Sequence, residues 1–160
     1  MFRLLGVVPG ADFTIEAAAT LSGSTTDEAK DELNRLATAH LIHQNAPGRY
    51  RFHDLLRLYA AERAHAEESL EGLAEAKQRL YDWYLLSVRA AVEQSHPHWA
   101  RLPLTLSRSD VTAASFADLP SAAAWLTSEH RNLVAAIHQA VSTGPRQAVW
   151  LLTDAMRSHF

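Results

Sequence analysis

The sequence predicts a mainly α-helical chain with one small two-stranded β-hairpin, and three observations predict it. Apolar residues recur at spacings of three and four through most of the chain, the period of an amphipathic helix. Residues that start and stop helices punctuate those stretches, with Thr14 and Thr25 ahead of two of them and Gly23 between. The helical period breaks between Leu41 and Phe52, where two short runs flank Asn45-Ala46-Pro47-Gly48. Pro followed by Gly suits the two central positions of a type II turn, so these runs read as a hairpin.

Taken in order, Phe2-Arg3-Leu4-Leu5-Gly6 reads as the last turn of a helix, with Gly6 as its C-terminal stop. Thr14 is the expected N-cap of a short helix carrying Ile15, Ala18, Ala19 and Leu21, and Gly23 stands just beyond its end. Thr25 and Glu28 have the Thr-x-x-Glu spacing of a capping box, followed by a stripe of Ala29, Leu33, Leu36, Ala37 and His40. In the hairpin, Tyr50 and Phe52 alternate with Arg49 and Arg51, which predicts aromatics inward and arginines outward. A further helix begins at His53-Asp54 and carries Leu55, Leu58, Tyr59 and Glu62 along successive turns. Three helices, a two-stranded hairpin and a helix follow the order of a winged helix-turn-helix, with its first helix truncated.

That module is expected over residues 1–66. Residues 67–119 read as a connecting segment: a long helix over Leu73–Gln94, then a surface linker from Ser95 to Pro120 marked by Pro97, Pro103 and Pro120 and anchored by Phe116. In the helix, Leu80, Tyr84, Val88 and Ala91 share one face, while Glu75, Arg79, Asp82 and Arg89 stay polar. Over residues 120–160 helical pattern resumes, with Ser121 as expected N-cap and Ala124, Trp125, Leu133, Ala136, Ile137 and Ala140 turned to a core. Gly144-Pro145 restarts the chain into a last helix with Val149, Trp150, Leu152 and Met156. A helix pair with a short turn is how an α-superhelical repeat array begins, although no period is visible in one pair. Both ends look cut, so the functional unit is expected to be longer.

The bulk numbers narrow the function. The 160 residues are 48% apolar and 21% charged, the composition of a folded domain rather than a disordered one. A formal net charge of −3 gives no overall basic field to attract nucleic acid or anionic lipid. Absence of cysteine rules out disulfides and thiolate metal sites, and it fits a reducing, cytoplasmic setting. The apolar start is interrupted by Gly10, Asp12 and Glu16 too early for a signal peptide, and no run is long enough to span a bilayer.

The segment Tyr50–Arg57 carries most of the functional information. Asp54 stands where an N-cap carboxylate would accept the amides of Leu56 and Arg57, and His53 precedes it with an imidazole that can reach the same space. A helix N-terminus suits an anion, yet the chain has no Gly-rich loop or lysine to hold a nucleotide unaided. Phe52-His53-Asp54-Leu55 resembles the Met-His-Asp motif of NB-ARC-type STAND signalling ATPases, with Phe52 in place of the usual methionine. Phe2–Gly6 with Val8-Pro9-Gly10, Tyr50–Ala60, Ala124-Trp125-Leu126 and Asn132–Ala136 resemble actinobacterial antibiotic-regulatory ATPases. The resemblance covers nearly the whole chain and is poorest over Ser95–Phe116. It implies a winged helix between an upstream nucleotide-binding domain and downstream tetratricopeptide-like repeats. It further implies that His53 touches the β-phosphate of ADP, that Asp54 braces the helix start, and that ADP or ATP with Mg belongs to the intact protein. The isolated chain is expected to hold no cofactor and to have no catalytic activity.

Rival readings are weaker. The helix that would enter a DNA groove carries Asp27, Glu28, Asp31 and Glu32 against Lys30 and Arg35, which opposes phosphate binding. A helical scaffold that grips a partner peptide stays open as an alternative, as does a DNA-binding regulator. His96-Pro97-His98-Trp99 has too few donors for a metal shell, so no metal site is expected. Trp83, Trp99, Trp125 and Trp150, with Tyr81 and Tyr84, read as packing residues of the helices rather than a ligand pocket. No nucleophile–base arrangement occurs at interpretable spacing.

Overall fold

A computed structural model describes residues 1–100, 102–103 and 110–157. They form α1 (Phe2–Leu5), β1 (Phe13–Thr14), α2 (Ile15–Ser22), α3 (Thr26–Thr38), β2 (Ile42–Ala46), β3 (Arg49–Phe52), α4 (Asp54–Glu67), α5 (Leu70–Ser95), α6 (Leu119–Ser142) and α7 (Arg146–Ala155). The chain is mainly helical with a small antiparallel sheet, and it divides into two compact units, Met1–Leu80 and Tyr81–Phe160.

In the first unit the local signals act as the sequence predicts. Thr14 caps α2 by accepting from the Ala17 amide, and Gly23 closes that helix with φ of 71°. Thr25 and Glu28 form the full capping box of α3, each satisfying the other's free amide. Such a box contributes about 1 kcal/mol, because helix ends otherwise leave donors without partners. Gly48 has φ of 71°, the left-handed value that the second central residue of a type II turn requires.

Four expectations need correction here. The sheet has three strands in the order β1-β3-β2, so the hairpin's second strand is central rather than an edge. Phe13 pairs with Tyr50 and Thr14 with Arg49. A two-residue strand shows no period of its own, which is why the pattern misses it. His40 does not continue the α3 stripe. It is exposed with φ of 57°, and the Leu41 amide reaches back to the Leu36 carbonyl at 3.0 Å to close the helix end. Gly6 ends α1 in a right-handed conformation, φ −63°, so turn geometry is not what it supplies. A Cβ there would lie 2.3 Å from the Ala61 backbone nitrogen, so glycine lets α1 lie directly on α4. Arg49 is not a free outward arginine, since it pairs with Asp12 at 2.5 Å.

The core of this unit gathers Leu5, Val8, Phe13, Leu21, Leu33 and Ile42, with Tyr50 and Phe52 inward as expected. Phe52 touches Phe2 edge-on at 5.5 Å and Phe13 at 6.0 Å, which ties the sheet to α1. Leu73, Ala76 and Leu80 of α5 are buried, and Arg79 donates to the Thr20 and Leu21 carbonyls at 3.0 and 2.7 Å. Those carbonyls lie in the last turn of α2, where a cation is favoured.

The second unit packs the rest of α5 with α6 and α7. Tyr84, Val88 and Ala91 of α5 are buried as expected, but Asp82, assigned to the polar face, is buried too. The Tyr81 hydroxyl donates to the Ala136 carbonyl at 3.0 Å. Asp118 rather than Ser121 caps α6, and Ser121 answers from the third position as the other half of a capping box. Pro120 thereby lies inside the first helical turn, where its missing amide costs nothing. The buried face of α6 is Ala122, Leu126, Leu133, Ala136 and Ala140, together with Glu129 hydrogen-bonded to Asn132 at 3.0 Å, while Ala124 is exposed. Leu152 of α7 and Met156 at its C-terminal cap are buried, but Trp150 is exposed. Phe116 does anchor its segment, packing on Trp125 with ring centroids 5.5 Å apart. Parts of the expected linker, residues 101 and 104–109, and the end of the last helix, residues 158–160, lie outside the described residues.

Candidate functional site

His53 and Asp54 stand where β3 hands over to α4. Tyr50 and Phe52 bury their rings and so fix the strand, leaving the next residue to turn outward. His53 is exposed and occupies the cap position of α4 with extended backbone, φ −72° and ψ 145°. Asp54 is the first helical residue. The expectation that Asp54 caps the helix is therefore corrected by one position, and no side chain makes a cap hydrogen bond there. One step inside the helix its carboxylate still lies at the positive end of the helix dipole, so it keeps a weaker electrostatic role.

Two further residues shape this helix start. Arg57 donates to the carbonyls of Val8 and Pro9 at 2.9 and 3.2 Å, which pins the first turn of α4 to the segment after α1. The ring of His43, on β2, lies against His53 with centroids 4.7 Å apart and planes tilted by 35°. His43 escaped the sequence reading because of a bulge. Continuing regularly from the Pro47-Gly48 turn would place His43 opposite Phe52 on the inner face. The register shift between Gln44 and Ala46 instead pairs His43 with Arg51, on the outer side that His53 also shares.

The large apolar residues along α4 are not what buries it. Leu55 is 80% exposed, Leu58 68% and Tyr59 53%, while Ala60 and Ala64 make the buried contact with the rest of the unit. These exposed side chains follow directly after His53, and a shallow concavity of about 440 Å³ beside them is lined by Gly6, Asp54, Arg57, Leu58 and Ala61. The arrangement thus combines an exposed imidazole at a helix start with an uncovered apolar face. It holds no nucleophile and base in contact, and among the described residues no group of three metal-ligating side chains occurs. At the other histidine pair, His96 stacks on Trp99 at 4.0 Å. No helix among the described residues is long and apolar enough to cross a membrane.

Two relatives align with almost the whole chain. It is 36% identical over 161 aligned positions, 96% of its length, to regulatory protein AfsR of Streptomyces coelicolor. It is 35% identical over 153 positions, 94% of its length, to regulatory protein AfsR of Streptomyces griseus. The chain spans 16% of the length of each of these relatives. No family model matches the chain, and no solved structure matches it significantly.

Proposed function

We propose that this chain is a non-catalytic regulatory part of an AfsR-like transcription regulator of the STAND ATPase type, serving as the winged-helix lid over a nucleotide. In this reading an upstream domain of the same protein holds ADP or ATP with Mg, and the lid closes on the ADP form. His53 reaches the phosphate, and α6 and α7 begin the helical repeats that receive the signal. Signal capture then shifts the balance toward an open state, by as much as the signal prefers that state. The protein works in the cytoplasm, and antibiotic production is the process it regulates.

The observation that carries the reading is the start of α4. Its exposed imidazole is followed within two turns by Leu55 and Leu58, two large apolar side chains left facing water, and by the half-exposed ring of Tyr59. A contiguous uncovered apolar patch marks a docking surface, and its place beside the helix N-terminus suits a partner that presents an anion. The similarity to two AfsR proteins, running nearly end to end, supplies the regulatory context. Direct DNA binding is less well supported. Arg49 is engaged by Asp12, and α3 carries acidic residues along the helix that would face the groove.

The test is release of fluorescent ADP from the intact protein. Replacing His53 by Ala should speed release about tenfold, the size of one charge-assisted hydrogen bond. An unchanged rate would remove His53 from the nucleotide and bring the scaffold reading forward.

A further inference from the structure

We propose that His43 is the positioning residue for His53: its ring, carried by the wing, stacks on the His53 ring and sets the direction in which that imidazole points beyond the start of α4. The inference rests on the reading of His53 as a phosphate contact and adds a residue to it.

Three features support it. His53 is exposed and makes no cap hydrogen bond, so nothing on its own helix start restrains its ring. The ring that does meet it is His43, at 4.7 Å between centroids, and that contact is what limits its rotation. His43 itself sits in a paired strand, opposite Arg51 in the β2–β3 ladder, so its backbone is fixed by the hairpin. The second feature concerns what holds His43. Its Nδ1 is buried without a hydrogen-bond partner. The ring is therefore placed by strand geometry and stacking, with no hydrogen bond through that atom.

The third feature is the bulge. The shift between Gln44 and Ala46 is what brings His43 to the outer side of the sheet. Bulges re-aim side chains, and here the re-aimed side chain is the one in contact with His53. An unrestrained surface imidazole loses rotamer entropy when it engages a ligand, and a neighbour that already confines it lowers that cost.

The experiment follows fluorescent ADP release from the intact, ADP-loaded protein with His53→Ala, His43→Ala and His43→Phe beside the wild type. His43→Ala should speed release about threefold, the size expected when one side chain regains rotamer freedom. His43→Phe should restore slow release, because a phenyl ring keeps the stack. It should also fold at least as stably as the wild type, since it removes a buried nitrogen that has no partner. Normal release from His43→Ala beside fast release from His53→Ala would overturn the positioning role and leave the lid reading intact. Fast release from both His43 variants, with melting temperatures unchanged, would also overturn it, because the ring would then not be what matters. Unchanged release from His53→Ala would overturn the lid reading itself.

Discussion

Helices α4 and α5 carry the same kind of pattern and use it in opposite ways. On α5, Leu80, Tyr84, Val88 and Ala91 are buried along one face. On α4, Leu55, Leu58 and Tyr59 recur at similar spacing but stay more than half exposed, and the fully buried contact with the rest of the unit is made by Ala60 and Ala64. The reason lies in what each helix meets. Gly6 lets α1 approach so closely that only alanines fit between the two backbones. Leu55 and Leu58 remain outside that contact, and Tyr59 reaches only its edge, its ring 6.4 Å from that of Phe2. An amphipathic pattern therefore states that a face is apolar, and leaves open which neighbour covers it. Exposed apolar surface of this size is a cost in an isolated unit and an asset in a larger assembly.

The comparison can be broken by one substitution made twice. Leu80→Ala should destabilise the chain by about 3 kcal/mol in urea unfolding, because it removes a buried side chain and leaves a cavity. A loss under about 1 kcal/mol would mean that the α5 face is not a packed core.

A pH scan sharpens the contrast at the second helix. Burial pushes the Tyr81 phenol up to about 12 from its ordinary 10.0. The folded-state value is raised, so its contribution is fully present below pH 10.0 and is lost as pH rises toward 12. Thermal melting should accordingly fall through that window, and Tyr81→Phe should flatten the fall. An equally steep fall in Tyr81→Phe would assign the alkaline loss to other groups.

The smallest expected effect completes the pair. Leu58→Ala should change stability by less than about 0.5 kcal/mol, as is usual for exposed positions. The same substitution in the intact protein should weaken retention of ADP, since the docking face loses apolar area. A cost similar to that of Leu80→Ala would show that α4 is covered within this chain.

Much of the fold was legible because it is written in short-range chemistry. Thr14, Thr25 with Glu28, and Gly48 each do what their neighbours in sequence require, and helix starts and turns need only a few adjacent residues. Where the reading slipped, the deciding contact was distant or a register was irregular. The cap of α4 moved from Asp54 to His53 because β3 ends at Phe52 and the helix begins one residue earlier than expected, leaving only His53 between them. The cap of α6 moved from Ser121 to Asp118 because Pro120 is tolerated inside a first turn. His53 was visible as a candidate, while His43 was hidden by a one-residue bulge that no pattern of side chains announces.

By itself, the sequence determined the helical class, the hairpin and its turn, most helix starts, and the position of His53 at the head of a helix. These follow from backbone preferences and capping, which act over three or four residues. Only the tertiary structure decided which apolar faces are covered, that Phe13 and Thr14 add a third strand, and that His43 meets His53. Those outcomes depend on which surfaces remote segments take out of water, and on where a strand slips against its partner.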